Sequence, residues 1–217
     1  MPGSLGAGTA VPDDAAAQPP TVTFALDFPQ SNPSRYAITV DASGRASYES
    51  TGRLVQGSEP EDYRQQFEIS ARNRDRIFDL AKQAKYFAGS IDSGNRKIAF
   101  TGSKTLTYQD RQGAHSGTFN YSSLEAVQRL TELFQSVGAT LEFGRRLAYF
   151  HHYQKLALDE ELKRMDDAAR SDQLGEIQAV AAVLREIAED ASVINVVRAR
   201  AQELLRRGDV TDSQRAR

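Results

Sequence analysis

The chain contains no cysteine. Disulfides, thiolate metal sites and cysteine nucleophiles are therefore excluded, while the compartment is left open, because a cysteine-free chain suits the cytoplasm and an oxidising space equally. No apolar run reaches the roughly 20 residues that a membrane-spanning helix requires. No block of five like charges occurs and the formal net charge is −2. The concentrated basic face of a nucleic-acid binder is thus missing, as is the charge cluster of an electrostatic membrane anchor. There is no Gly-x-Ser-x-Gly nucleophile elbow, and the serines fall in turns and caps.

A phosphate loop is also missing, although IAFTGSKTLTYQD (Ile98–Asp110) comes close to one. Such a loop needs glycine directly before the lysine, so that backbone N–H groups wrap the phosphate, and a helix directly after it. Here Ser103 stands before Lys104, and Thr105-Leu106-Thr107-Tyr108-Gln109 alternates as a strand does. Ile98 and Phe100 before, with Leu106 and Tyr108 after, predict a hairpin around Thr101–Lys104.

What is present is 217 residues, 40% hydrophobic and 26% charged, enough for one large domain or a small domain with an appendage. The first twenty residues, MPGSLGAGTAVPDDAAAQPP, are small and Pro-rich and read as a flexible leader. Ala15-Ala16-Ala17-Gln18 resembles a small-residue signal cleavage site without the apolar and basic segments that precede one. Either this is a tail on a cytoplasmic protein, or an export signal lies upstream. Leader composition tilts the expectation toward an extracytoplasmic location.

Up to about residue 122, alternation dominates. Val22, Phe24, Leu26 and Phe28 share one face of a half-buried strand; Tyr36, Ile38 and Val40 repeat the pattern. Asp41-Ala42-Ser43-Gly44 reverses the chain, and Ala46 and Tyr48 continue on the return strand. Residues 51–62 read as loop, and Phe67 and Ile69 mark another short strand. Ser70 caps a helix over about 71–86, with Ile77, Leu80, Ala81 and Ala84 on its apolar face and Gly89 past its end. Asp110-Arg111-Gln112-Gly113 is a second turn of the same type, with His115 placed in it, and Phe119 and Tyr121 form a last strand.

Beyond Ser122 the periodicity is helical. Ser122-Ser123-Leu124-Glu125 fits a capping box. Val127, Leu130, Phe134 and Val137 make a buried stripe, with Gly138 read as punctuation. A long helix is expected over about 140–168, with Leu147, Phe150, Gln154, Leu158, Leu162 and Met165 along one face, followed by helices over about 174–189 and 192–207, ended by Gly208. The expected fold class is therefore α+β: an antiparallel sheet of six or seven strands with helices on one face, then a C-terminal helical extension. The expected division is a leader (1–20), an α+β domain (21–138), a helical extension (139–208) and a tail (209–217).

The densest chemical stretch is GRRLAYFHHYQK, Gly144–Lys155. On a helix, adjacent residues lie about 100° apart, so His151 and His152 do not converge on one metal ion; no metal site and no cofactor is expected. Arg145, Arg146, Tyr149, His152 and Tyr153 are the candidate binding rim, because arginine and aromatic residues are favoured interface anchors; the bland alternative is a half-buried helix whose polar tips reach solvent. Acidic runs such as Asp159-Glu160-Glu161 sit beside lysines and arginines at helical spacing and read as solvated faces.

Two resemblances follow. AAVLREIAEDASVINVVRARAQELLRRG (Ala181–Gly208) partly resembles one unit of a HEAT repeat, and, since solenoids need about three units or more, implies a lone helical hairpin. The series DFPQSNPSRYAITVDASGRASY, IFDLAKQAKYF and IAFTGSKTLTYQD, within residues 21–135, resembles small bacterial α+β domains, often exported, whose function is not established. That resemblance implies the cell envelope and binding, and brings no catalytic residues. The expectation is a non-enzymatic interaction module that associates with a protein partner or with itself through the C-terminal helices, with no nucleic acid, membrane span or metal. The alternative is a small-ligand binder or enzyme with its site between sheet and long helix.

Overall fold

The computed structural model describes residues 19–213. Residues 1–18 of the expected leader (1–20) and residues 214–217 of the expected tail (209–217) lie outside the described residues. Six strands form one antiparallel sheet: β1 (Thr21–Asp27), β2 (Arg35–Asp41), β3 (Arg45–Gly52), β4 (Glu61–Glu68), β5 (Ser103–Asp110) and β6 (Gly113–Phe119), in the spatial order β4-β3-β2-β1-β5-β6. The fold class is α+β, with helices following the sheet. Alternation sets the faces as the sequence predicts. Val22, Phe24, Ile38, Val40, Tyr48 and Leu106 are fully buried, while Thr23, Thr39 and Thr107 of the same strands point away from the core.

Helix α1 (Ala71–Gln83) begins at Ser70, whose hydroxyl accepts from Asn73 N at 3.3 Å. It buries Ile77, Leu80 and Ala81 on the sheet. It ends before the expected Tyr86, because Lys85, Tyr86 and Phe87 all take left-handed conformations (φ 51°, 54° and 65°). Each such residue costs about 1 kcal/mol or more. Burial of the Phe87 ring, 1% exposed, and the Tyr86–Tyr108 ring contact at 4.4 Å offset that cost.

Helix α2 (Glu125–Tyr153) is the spine of the molecule. It runs uninterrupted through Gly138 and so corrects the expected break there. Gly138 serves close packing instead: a methyl group at this position would sit 3.2 Å from the Tyr36 ring. Phe134 stacks on Phe24 of β1 at 5.5 Å with the rings 6° from parallel. The capping box does not form; Leu124 is the cap residue with no side-chain bond, and the Ser122 hydroxyl accepts only from Leu124 N at 3.2 Å. The chain leaves helical geometry at Gln154 (φ −146°, ψ 60°), within the helix expected over 140–168.

Helices α3 (Leu158–Arg170) and α4 (Ala181–Glu189) pack on α2, and α5 (Asn195–Ser213) packs on α3 and α4 and continues past Gly208. Their apolar stripes are used internally: Leu158, Leu162, Met165, Leu184, Ile187, Val197, Ala201 and Leu204 all belong to the same core as the sheet. Two further expectations are corrected. β4 is a full eight-residue strand that takes in part of the expected loop over 51–62. Ile98 and Phe100 are not in a strand; residues 99–101 are held as a loop by Asn120, whose side chain bonds Ala99 O and Thr101 N. The β5–β6 hairpin turns at Asp110–Gly113, as that sequence predicts, and His115 lies in β6 opposite Tyr108 rather than in the turn.

Candidate functional site

The five residues of the expected rim separate into two groups. Arg145 is not at the surface. It is buried at 5% exposure, its Nη2 donates to Gly52 O (3.3 Å) and Glu61 O (3.4 Å), and its guanidinium stacks over Tyr63 at 5.0 Å. Arg146 faces α3, donating to Glu161 Oε1 at 2.6 Å and covering the Phe143 ring at 4.8 Å. Only Tyr149, His152 and Tyr153 come together at the surface, with the Tyr149 and Tyr153 rings 5.1 Å apart and the His152 and Tyr153 rings 4.4 Å apart.

The junction of sheet and long helix is polar at its centre. Glu142 of α2 is buried and accepts from the Tyr48 hydroxyl (2.7 Å) and the Ser50 hydroxyl (2.8 Å), with Arg145 Nη1 at 3.8 Å. Burial first, and the Glu142 charge second, push the Tyr48 phenol far above its ordinary value, so it stays a neutral donor. Tyr36, Tyr48 and Tyr63 line up across β2, β3 and β4 with centroid spacings of 5.9 and 6.4 Å. Burying a charge is costly unless it is paired and hydrogen-bonded, and here both conditions hold for Glu142. This is a structural clasp between helix and sheet.

A second polar cluster joins the end of α2 to the α4–α5 turn. His151 Nε2 and Lys155 Nζ lie 2.9 and 2.6 Å from Asp190 Oδ2, and the Ser192 hydroxyl donates to Asp190 Oδ1 at 2.7 Å. The Lys155 ammonium also donates to Ser192 Oγ at 2.6 Å. The grouping of Ser, Lys, His and Asp ties the end of α2 to the α4–α5 turn. Hydrogen bonds from Lys155, Ser192 and His151 hold the Asp190 carboxyl well below the usual carboxylate range, which makes it a poor general base. The Ser192 proton is directed at that carboxylate.

Among the described residues, the side of the sheet away from the helices is uncovered and carries a concavity. One row across the six strands reads Arg64–Glu49–Ala37–Ala25–Thr105–Thr118. The methyl groups of Ala25 and Ala37 form the floor of a groove of about 530 Å³. Its walls carry ions of both signs: Arg64 lies 3.4 Å from Glu49, and Arg35 lies 3.7 Å from Asp62 and donates to the Thr51 hydroxyl at 2.9 Å. The Thr51 hydroxyl bond, against some desolvation and aided by Arg35 and Arg64, keeps the Asp62 carboxyl below its ordinary value. The neighbouring row carries hydroxyls, with Thr23–Thr39 and Thr107–Ser116 pairs at 3.0 Å, and Thr105–Thr118 repeats the motif at 3.0 Å in the groove itself. No aromatic or histidine side chain lies on this face of the strands, by their alternation. The sequence carried the signal for this face, in the Thr-x-Thr spacing of Thr21/Thr23 and Thr105/Thr107, but small polar residues on a solvent face raise no flag by themselves.

Among the described residues, no helix is long and apolar enough to cross a membrane, and no group of three or more His, Asp or Glu side chains is placed to hold a metal ion. Comparison with protein-family models, with curated proteins and with solved structures returned no match.

Proposed function

We propose that the chain is a non-enzymatic binding module that receives an extended polypeptide segment on the uncovered face of its sheet, along the Ala25–Ala37 groove. One observation carries this reading: the C-terminal helices spend their apolar faces inside the shared core, whereas a whole sheet face with a built concavity is left free by the described residues. Threonine and serine hydroxyls both donate and accept, so they match the alternating N–H and C=O groups of a main chain. The paired ions on the walls supply polar rim contacts of both signs. A face without aromatic rings offers nothing for a base or a sugar ring to stack on. The charged groups around the groove are engaged with one another, which supports binding over acid–base chemistry.

The test is an NMR titration of the full chain with extended hexapeptides and, separately, with neutral oligosaccharides. Peptide binding is expected to shift the amides of Ala25, Ala37 and Thr105, and Ala37→Arg is expected to abolish the shifts while leaving the fold intact. Shifts confined to Tyr153 and Leu156 would remove this reading, and a response to oligosaccharides alone would replace its ligand class.

A second reading, association through the helical extension, rests on a specific corner. Leu156 is 97% exposed and Tyr153 68%, and Ile194, 62% exposed, follows the Ser192 that Lys155 grips. Under that reading, Leu156→Ser lowers the mass seen by light scattering.

A further inference from the structure

The two edges of the sheet differ in how they are guarded. β4 carries Glu61, Asp62, Arg64 and Glu68, and Arg145 from α2 takes its Glu61 carbonyl. Charges and coverage of this kind keep an edge strand from recruiting another strand. β6 (GAHSGTF) has neither. It contains no Asp, Glu, Lys, Arg or Pro, and residues 113–116 are exposed. Ile91 packs under Gly117, where a methyl group would sit 2.6 Å from Ile91 Cγ1, so the preceding loop covers the inner side of this strand but leaves its edge free. Among the described residues, every backbone hydrogen bond of β6 goes to β5. Its remaining N–H and C=O groups point outward as a template.

We infer that β6 pairs antiparallel with β6 of a second copy, about a two-fold axis perpendicular to the sheet. Two features select a second copy as the occupant. The strand is uncharged, so two copies meet without like-charge repulsion, whereas β4 cannot meet itself in that way. Centred on Ser116, the pairing sets Ala114 opposite Thr118 on the outer face, and Ser116 opposite Ser116, continuing the hydroxyl row that already joins Thr107 to Ser116. On the inner face it sets His115 opposite Gly117, whose inner side Ile91 already fills. An isologous contact of this kind closes on itself, so it yields a dimer and not a fibre.

The pairing makes a twelve-stranded sheet with both outer faces on the same side. Thr118 belongs to β6 and to the groove wall, so the two grooves become neighbours on one surface. One seven-residue edge falls short of the roughly 800 Å² per copy of a standard stable interface, so the dimer is weak and concentration-dependent.

Sedimentation velocity of the full chain from about 10 μM to 1 mM, a span centred on the weak affinities such small interfaces give, tests this. The expected result is a rise from monomer toward dimer mass, with slowed amide exchange in residues 113–118 at high concentration. Ser116→Lys places two ammonium groups at the axis and is expected to hold the chain monomeric at the same unfolding temperature. Ala114→Lys serves as the second variant if Ser116→Lys does not fold. A wild-type chain that stays monomeric throughout overturns the inference. So does a dimer that survives either lysine variant, or one that is lost in Leu156→Ser and kept in Ser116→Lys.

Discussion

Tyr48 and Glu142, 94 residues apart in the chain, meet in a 2.7 Å hydrogen bond that joins the third strand to the long helix. The Ser50 hydroxyl shares the same carboxylate oxygen and Arg145 stands beside it. A sheet-to-helix contact that could have been wholly apolar is therefore polar at its centre, and every member of it is buried.

Tyr48→Phe removes a bond to a charged acceptor in a buried site and is expected to cost about 1.5–3 kcal/mol in urea unfolding. Arg145→Met leaves Glu142 with its two hydroxyl donors and no cation, and is expected to cost about 3–5 kcal/mol. The pair Arg145→Met with Glu142→Gln is expected to recover a large part of that loss, which a double-mutant cycle reads directly.

Two glycines of α2 give opposite outcomes on conversion to alanine. At Gly144 the added methyl group would sit 2.3 Å from Val180 Cγ1. Overpacking of about 1–3 kcal/mol then exceeds the roughly 1 kcal/mol gained in helix propensity, and thermal unfolding falls. At Gly138 the approach to the Tyr36 ring is 3.2 Å, which a small ring shift relieves. Gly138→Ala is expected to be close to neutral in the same measurement.

Acid releases the tie at Asp190. Its folded pKa lies below the ordinary 3.8, so its stabilising contribution is fully present above that value and is lost as pH falls from about 4 toward the folded value. Amide exchange in residues 190–200 is expected to quicken over that range. Asp190→Asn is expected to show the fast exchange already at pH 7.

Much of this architecture is legible in the residues. Alternation of Val22, Phe24 and Leu26 marks both the strand and its buried face, and Ser70 marks the start of α1. The misreadings have physical causes. EDYRQQFE is polar because β4 is an edge strand whose outer side faces water, so it looks like loop. Ile98 and Phe100 alternate without pairing; Phe100 is 61% exposed and meets Phe28 edge-on. Gly138 resembles a helix stop because a close helix–sheet approach and a helix end ask for the same residue. The break at Gln154 carries no glycine or proline to announce it. At the candidate sites, His152 and Tyr153 are exposed and Tyr149 is half-buried, whereas the burial of Arg145 depends on Tyr63 and Glu61, partners that only the folded topology supplies.

Glu176, in a left-handed conformation, accepts from the Ser70 backbone N–H (3.1 Å), the Ser70 hydroxyl (2.7 Å) and Asn73 Nδ2 (2.5 Å). The first turn of α1 contains no acid of its own, so the negative charge that favours a helix start is lent by a residue 106 positions later. Synthesis proceeds from the N-terminus. The sheet and α1 therefore leave the ribosome before the carboxylate that completes them exists, with the inner face of the strands waiting for α2 and the start of α1 waiting for the turn beyond α3. The start of α1 thus completes its hydrogen bonds only once residue 176 has been made, and Glu176→Gln is expected to quicken amide exchange in the first turn of α1.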